Sequence, residues 1–498
     1  MIDIEKIISS KKEDGHIEAK LAEGGLPRSM WESYSAFANT NGGVILLGLK
    51  EDKETKKLIP VGVDNPEKMM SEIWNTLNNS QRISSNILLD KHVYVKDYDD
   101  KKIIVIDVPR ANRRERPVYI GQDMFKGTYR RNHEGDYRCT VEEIKAMLRD
   151  QASSSQDALV IEEVELSELN YESIKRYRTI FKNIKPKHVW GELDDEEFLI
   201  KIGAAAKCHV DGKVHPTLGG LLFFGDFVSI MSVMPNFFLD YREYLGGEKR
   251  WSDRVCSGDG DWSGNVFDFY YRVVDRMTSD VKRAFRLENG LTRIDDNEIH
   301  EALRESLANA LIHADYYGRR GIVIDKTFRK VTISNPGTFR IEIEEAISGG
   351  ISDARNGNIF NMFSLINVGE RSGTGICNLF YVWNENGFRQ PQIIETINPD
   401  RTRIILDFGT NEAKNEAKNE ANEAKNEANE VKLTGDLEEK EHLVLSVIKD
   451  NNTISAPKIG IELGISKSSV DRAIKGLKEK GYVLREGPTN GGTWKILK

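Results

Sequence analysis

The sequence predicts a multidomain α+β protein. Its 498 residues are too many for one hydrophobic core, so several domains are expected. Helical periodicity and short β-rich runs alternate as far as residue 409, and a low-complexity tract follows. We therefore divide the chain into residues 1–150, 157–297, 298–409, 411–434 and 435–498.

Composition limits the classes of partner. Asp plus Glu (79) exceed Lys plus Arg (71), which gives a net charge of −8, so contact with nucleic acid must come from local basic patches. The four cysteines are far apart and lack zinc-site spacing. The N-terminus has no apolar signal core, and no apolar run is long enough to span a membrane. These features predict a cytoplasmic protein without a membrane partner.

The stretch 299–316 combines a helical pattern with polar residues. Its apolar residues follow the spacing of a core-facing stripe, which predicts a buried helix. Glu305, Asn309 and His313 are spaced by four, which places them along one edge about 6 Å apart. A carboxylate and a carboxamide so placed can hold Mg²⁺ and orient a water against a phosphate. A solvated helix edge is the alternative.

Two glycine turns follow this helix. Short β-rich runs at 321–325 and 330–334 lead into Asn335-Pro336-Gly337, and Gly373-Thr374-Gly375 then begins an apolar, helix-like segment. Glycines at a helix start expose backbone N–H groups that can cradle a polyphosphate.

The order of these motifs resembles the GHKL (Bergerat-fold) ATPases, and in detail the ATPase-like domain of RecG-related bacterial regulators. The matching pieces are ALRESLANALIHADY, ISNPG, ARNGNIFNMF and GERSGTGI. The resemblance implies a Bergerat-like ATP-binding α/β sandwich with ATP and Mg²⁺ as cofactors, Asn309 as the metal ligand and Glu305 as the base that activates water. The nucleotide-contacting residues that it implies are Asn309, Asn335, Gly337, Gly373, Thr374 and Gly375. Asn335 stands where GHKL enzymes use an adenine-reading aspartate.

The N-terminal segment has its own signature. A helix is predicted to stop at Asn39-Thr40-Asn41-Gly42-Gly43, where the double glycine supplies the C-cap and a tight reversal into the strand 44–49. This stretch resembles a Schlafen AlbA-type domain, together with Glu18-Ala19-Lys20, the strand 103–108 and Tyr129-Arg130-Arg131.

Two chemistries are open to this segment. Its crowded basic residues can neutralise phosphates, with a solvated basic face as the alternative. The candidate nucleic-acid contacts are Arg113, Arg114, Arg116, Arg130 and Arg131. Separately, Glu13 and Glu18 resemble the paired glutamates of Schlafen-type RNases, with Glu51 or Asp52 as the third carboxylate. Clustered carboxylates can bind a divalent metal and polarise a scissile phosphate.

The tail, 435–498, has the helix lengths and the turn and capping residues of a winged helix-turn-helix. Its third predicted helix is capped by Ser466 and directs Lys467, Arg472 and Lys475 outward. The stretch 452–498 contains nine Lys or Arg and four Asp or Glu, so its net charge is +5 within an acidic protein. This reversal favours DNA over a purely protein-binding winged helix. The preceding tract, 411–434, is predicted to be a weakly helical tether.

The leading hypothesis is an ATP-binding, DNA-binding transcriptional regulator, and predicted bacterial regulators that this architecture resembles imply the same. The alternative is an ATP-gated, Schlafen-like, metal-dependent RNase or DNase, for example in phage defence. A third option is an ATP-binding scaffold with neither activity. DNA is the expected nucleic acid, with RNA as the second option, and homo-oligomer formation stays open.

Overall fold

The computed structural model describes residues 15–52, 54, 57–245, 250–279, 287–288, 292–293, 298–369, 373–397, 399–409, 439–463, 466–486 and 493–497. The chain forms two compact units, Met1–Gly409 and Thr410–Lys498. The candidate residue Glu13 and the low-complexity tract 411–434 lie outside the described residues.

The N-terminal segment forms a four-stranded sheet with helices packed against it. The strand order is β1-β2-β6-β5, in which β1 and β2 are parallel and the other pairs are antiparallel. The pairs β3-β4 and β7-β8 are hairpins. The elements are β1 (Ile17–Lys20), α1 (Ser29–Ala38), β2 (Gly43–Leu47), β3 (Leu49–Glu51), β4 (Leu58–Pro60), α2 (Pro66–Leu77), β5 (Val93–Tyr98), β6 (Lys101–Val108), α3 (Met124–Gly127), β7 (Tyr129–Asn132), β8 (Gly135–Arg138) and α4 (Val141–Gln151).

The turn between α1 and β2 differs from the sequence prediction in one respect. The C-cap of α1 is Asn39 rather than a glycine. The buried Asn39 amide donates to the carbonyls of Val118 and Tyr129 and accepts from the Val118 N–H, so it joins α1 to two distant segments. Gly42 serves the reversal: its φ is +71°, and a Cβ there would lie 2.8 Å from the Val108 carbonyl oxygen.

The rest of this unit is built around a six-stranded sheet. Its order is β12-β11-β15-β16-β18-β17, and within it β11 and β15 are parallel while the other neighbours are antiparallel. The elements are α5 (Tyr171–Ile184), α6 (Asp195–Ile202), β9 (Ala205–Lys207), β10 (Val214–Pro216), α7 (Leu218–Phe224), α8 (Phe227–Val233), β11 (Leu239–Tyr244), β12 (Asp253–Cys256), α9 (Val266–Thr278), β13 (Leu287–Glu288), β14 (Thr292–Arg293), α10 (Glu298–His313), β15 (Ile322–Thr327), β16 (Lys330–Pro336), α11 (Ile343–Ser348), α12 (Gly357–Leu365), α13 (Gly375–Glu385), β17 (Gln392–Thr396) and β18 (Arg401–Asp407).

The segments 157–297 and 298–409 share this sheet. The first contributes β11 and β12, and the second contributes the other four strands. One hydrophobic core also runs through both, from Ile161 to Leu406, with α10 buried within it. The boundary drawn at 297/298 therefore does not separate two folding units. Burial of apolar side chains from both segments holds them together.

In the second unit, the described residues form three helices and a β-hairpin. Its elements are α14 (Glu439–Asp450), α15 (Ala456–Leu463), α16 (Lys467–Glu479), β19 (Val483–Glu486) and β20 (Thr493–Ile496). The side chain of Ser466 accepts from the Ser469 N–H and caps α16. On α14, Val444, Leu445, Val447 and Ile448 are in the core, and Leu443 is exposed.

Among the described residues, no helix combines the length and the apolar character needed to cross a bilayer.

Candidate functional site

Helix α10 forms one wall of a cavity of about 100 Å³ in the ATPase-like region. The predicted residues Glu305, Asn309, Asn335, Gly373 and Gly375 all line it, although the last three are distant from α10 in sequence. Its apolar lining includes Phe339, Ile341, Ala346, Ile351 and Ile376. The cavity thus offers apolar surface for a planar ring beside polar groups for phosphate and metal.

Gly337 and Thr374 are not among the residues that line this cavity. Thr374 directly precedes α13. Gly337 lies beneath Arg355, and a Cβ there would be 2.6 Å from one Arg355 terminal nitrogen. Gly337 therefore makes room for an arginine that itself lines the cavity.

Gly375 makes the closest approach across the cavity. A Cβ at this position would lie 2.7 Å from Asn309 Nδ2 and closer still to Glu305 Oε1. The start of α13 therefore rests directly on the carboxylate–carboxamide edge of α10. The donor set suits Mg²⁺ and a polyphosphate, because it combines carboxylate and amide oxygens with a glycine-led helix start. Ligand sites usually measure ~300–1000 Å³, so this cavity of about 100 Å³ is small for a nucleotide.

The C-terminus of α10 is held by the segment that follows β16 and α11. Asn356 Nδ2 donates to the carbonyls of Ile312 and Ala314, and Arg355 donates to the carbonyl of His313. These bonds satisfy helix-end carbonyls that have no partner within the helix, and a cation there suits the helix dipole. The motif ARNGNIF thus has a structural role that its sequence pattern did not reveal.

His313, at the same helix end, lines the cavity. Burial, and after it the charges of Arg355 and Arg340, lower the pKa of His313 to about 4. The imidazole is therefore neutral at physiological pH. It offers the cavity a neutral hydrogen-bonding group rather than a cation.

Asp150, at the end of α4, anchors the N-terminal domain to this cavity wall. Its carboxylate accepts two bonds of 3.0 Å from Arg355 and one of 3.2 Å from Arg340. Burial acts to raise the pKa of Asp150, but the charges of Arg355 and Arg340 outweigh it and hold that pKa well below its ordinary value. Arg340 and Arg355 both line the cavity, so the ion pair connects the two domains at the site itself.

The predicted nucleic-acid arginines of the N-terminal domain do not form one exposed surface. Arg113 pairs with Asp353, Arg130 with Asp400 at 2.7 Å, and Arg131 with Glu18 at 2.7 Å, all largely buried. Arg116 is buried as well, and Arg114 is exposed. Their binding to nucleic acid stays a prediction, and it would require these ion pairs to open.

The structure describes three of the candidate nuclease carboxylates, Glu18, Glu51 and Asp52. Glu18 lies between Lys20, at 2.6 Å, and Arg131. Glu51 ends β3 and is partly exposed. Within the described part of the chain, no three acidic, histidine or cysteine side chains are arranged to hold a metal ion.

Helix α16 presents the predicted DNA-contacting residues to solvent. Lys467, Arg472 and Lys475 are exposed, while Val470, Ile474 and Leu477 are buried in the core of the winged helix. In the hairpin, Trp494 packs against the cations of Arg485, 4.7 Å from its ring centroid, and Lys478, at 5.4 Å. This contact fixes the wing to α16.

Arg340, Asp353, Arg355 and Asp150 are the site residues that the sequence reasoning missed. Arg355 lies inside ARNGNIFNMF, a motif that supported the family resemblance but to which no role was assigned. Arg340, Asp353 and Asp150 gave no local signal, because each pairs with a residue of another domain.

Comparison with protein families agrees with this architecture. The family models that match are "Schlafen, AlbA_2" at residues 10–140, "Putative ATP-dependent DNA helicase recG C-terminal" at 321–406 and "MarR family" at 435–492. The chain carries these three domain types in the predicted order. A "Domain of unknown function (DUF8451)" also matches, at 145–240. This set of domains indicates a DNA-binding regulator with an ATPase-like domain.

Two solved structures are similar to the chain. The DIP2311 protein from Corynebacterium diphtheriae shares 16% identity over 99% of this chain and 96% of its own, with a TM-score of 0.40. The N-terminal domain of a "Putative ATP-dependent DNA Helicase RecG-related Protein" from Nitrosomonas europaea shares 25% identity over 27% of this chain and 90% of its own, with a TM-score of 0.22. No curated protein matches the sequence.

Proposed function

We propose that the protein is a transcriptional regulator that binds ATP with Mg²⁺ in the cavity beside α10 and binds DNA through its winged helix. The observation that carries the proposal is the convergence of Glu305, Asn309, Asn335, Gly373 and Gly375 on one cavity. The alternative interpretation of Glu305 and Asn309 is a solvated helix edge. That interpretation does not explain why two glycine turns lie beside these residues.

In this proposal each group has a separate role. The Asn309 amide oxygen would hold Mg²⁺, which neutralises phosphate charge. The Glu305 carboxylate would orient and deprotonate a water. The start of α13, from Gly373 to Gly375, would offer backbone N–H groups to the phosphates. The apolar residues that line the cavity would receive the base.

Calorimetric titration with ATP, ADP and a non-hydrolysable analogue tests the nucleotide half. Asn309→Ala should abolish Mg²⁺-dependent binding, because the metal loses its ligand from α10. Glu305→Gln should retain binding and lose any slow hydrolysis, because the amide keeps size and hydrogen bonding but cannot take a proton. If the unmodified protein gives no heat with any of the three nucleotides, ATP binding is refuted.

Measuring the affinity for duplex DNA at several salt concentrations tests the proposed DNA binding by the winged helix. Replacing Arg472 and Lys475 together by alanine should weaken binding and reduce the salt slope by about 2, since two phosphate contacts are lost. The control is Lys187→Ala, a lysine of the other unit. Unchanged DNA binding in the double variant would refute the role of α16.

The same preparations decide between regulator and nuclease. Incubation with tRNA, single-stranded RNA and duplex DNA, with Mg²⁺ or Mn²⁺, should leave all three intact, because Glu18 is already bound by two cations. Cleavage that disappears in a Glu13→Gln, Glu18→Gln double variant would instead support the Schlafen-like nuclease.

A further inference from the structure

Three arginines of one loop are buried where the N-terminal domain contacts the ATPase-like region. Arg110 and Arg113 each meet a carboxylate across this contact: Arg110 lies 3.2 Å from Glu395, and Arg113 pairs with Asp353. Arg116, three residues further on, is 7% exposed. Its Nε is fully buried and has no hydrogen-bond partner. No carboxylate among the described residues pairs with it.

Several surrounding carboxylates are already paired with other arginines. Asp150 is shared between Arg340 and Arg355, and Asp353 is shared between Arg113 and Arg340. Asp400 and Glu143 both bind Arg130. Arg116 is therefore left without an ion pair among the described residues, and Glu342 acts on it only through its charge. A buried charge without a counter-charge is costly, which makes the position unusual.

The electrostatics of Arg116 favour an anion beside it. Burial, and then the charge of Arg110, lower the pKa of the Arg116 guanidinium to about 10. The nearby carboxylates of Asp150 and Glu395 do not compensate for these two effects. A negative group beside Arg116 would offset both.

We propose that Arg116 is the centre of an anion site at this junction, and that the site takes a phosphate dianion: inorganic phosphate or the terminal phosphate of a nucleic-acid strand. The planar guanidinium matches two phosphate oxygens at once. Because Arg116 is only 7% exposed, the proposed ligand is a small anion or a chain end rather than the backbone of a duplex. The site is separate from the nucleotide cavity, because Arg116 does not line that cavity. The strand-end form rests on the proposed nucleic-acid binding, and the inorganic-phosphate form does not.

Equilibrium dialysis of the full chain with radiolabelled orthophosphate, at constant ionic strength, tests the proposal. Arg116→Gln should weaken phosphate binding roughly 10- to 100-fold, the loss expected for a charge-assisted hydrogen bond. The phosphate affinity of Arg116→Lys should lie between those of the unmodified protein and Arg116→Gln, because lysine keeps the charge but cannot bind two phosphate oxygens with a planar guanidinium. Arg114→Gln, on the exposed side of the same loop, and Asn309→Ala, in the nucleotide cavity, should bind phosphate as the unmodified protein does.

Several results would overturn the proposal. One is the absence of phosphate binding to the unmodified protein, and another is an equal loss of phosphate affinity in the Arg114 and Arg116 variants. A loss of affinity in Asn309→Ala alone would place the phosphate in the nucleotide cavity. Thermal unfolding gives an independent readout. In phosphate-free buffer Arg116→Gln should melt no lower than the unmodified protein, because an uncompensated charge is removed. A clear drop would show that Arg116 has a structural partner, against the proposal.

Competition identifies the source of the phosphate. A short 5′-phosphorylated oligonucleotide that displaces labelled phosphate, while its 5′-hydroxyl counterpart does not, would support a strand end as the ligand. Failure of both to compete would support inorganic phosphate. Equal competition by both would show that internal phosphodiesters reach Arg116, which contradicts a site restricted to small anions.

Discussion

Replacing Asp150 by asparagine should destabilise the first unit strongly. The side chain accepts two bonds of 3.0 Å from Arg355 and one of 3.2 Å from Arg340, and both arginine side chains are over 90% buried. Asparagine keeps the size but removes the charge, which leaves the buried Arg355 guanidinium without its paired carboxylate and Arg340 with Asp353 alone. Breaking a buried pair costs about 3–5 kcal/mol. For a unit of this size that corresponds to a fall in melting temperature of roughly 5 °C.

Scanning fluorimetry across pH provides the assay. The folded-state pKa of Asp150 is depressed, so its stabilising effect is fully present above the unfolded pKa of about 3.9 and is lost as pH falls towards the folded value. The difference between Asp150→Asn and the unmodified protein should therefore be constant above about pH 5 and shrink in stronger acid. Glu192→Gln, which removes an exposed ion pair with Lys182, should change stability by less than about 1 kcal/mol. Equal melting temperatures for Asp150→Asn and the unmodified protein would refute the buried network.

Three further predictions concern single side chains. The folded pKa of His313 is about 4, below its ordinary value, so the free energy of unfolding should fall by at most about 3 kcal/mol as the pH drops from 6.5 to 4. His313→Gln should flatten this dependence in denaturation at several pH values, and an unchanged pH dependence in that variant would contradict the prediction. Gly375→Ala should cost about 1–3 kcal/mol in thermal unfolding, because its Cβ would meet Asn309, whereas Gly24→Ala, with open space around it, should not; equal effects would disprove the close contact. Trp494→Ala should destabilise the winged helix by about 3–5 kcal/mol in urea unfolding, and a loss below 1 kcal/mol would show that the wing is held otherwise.

The sequence alone determined features that depend on residues close together in the chain. The period of apolar residues located helix α10, and a spacing of four placed Glu305, Asn309 and His313 along it. The same local signals located the helices and wing of the tail, where Ser466 caps α16 as its position indicated. Helix periodicity and capping involve neighbours within a few residues, so one sequence is sufficient to recognise them.

The tertiary structure alone decided which distant residues meet. It brought Asn335, Gly373 and Gly375 to the edge of α10, and it completed the six-stranded sheet with β11 and β12 from the segment that the sequence assigned elsewhere. It also turned four of the five candidate nucleic-acid arginines of the N-terminal domain inward. Two of them, Arg113 and Arg130, meet carboxylates more than two hundred residues away, Asp353 and Asp400. A run of arginines has the same pattern whether it faces solvent or a buried carboxylate, because the partner that decides between them is supplied by the fold.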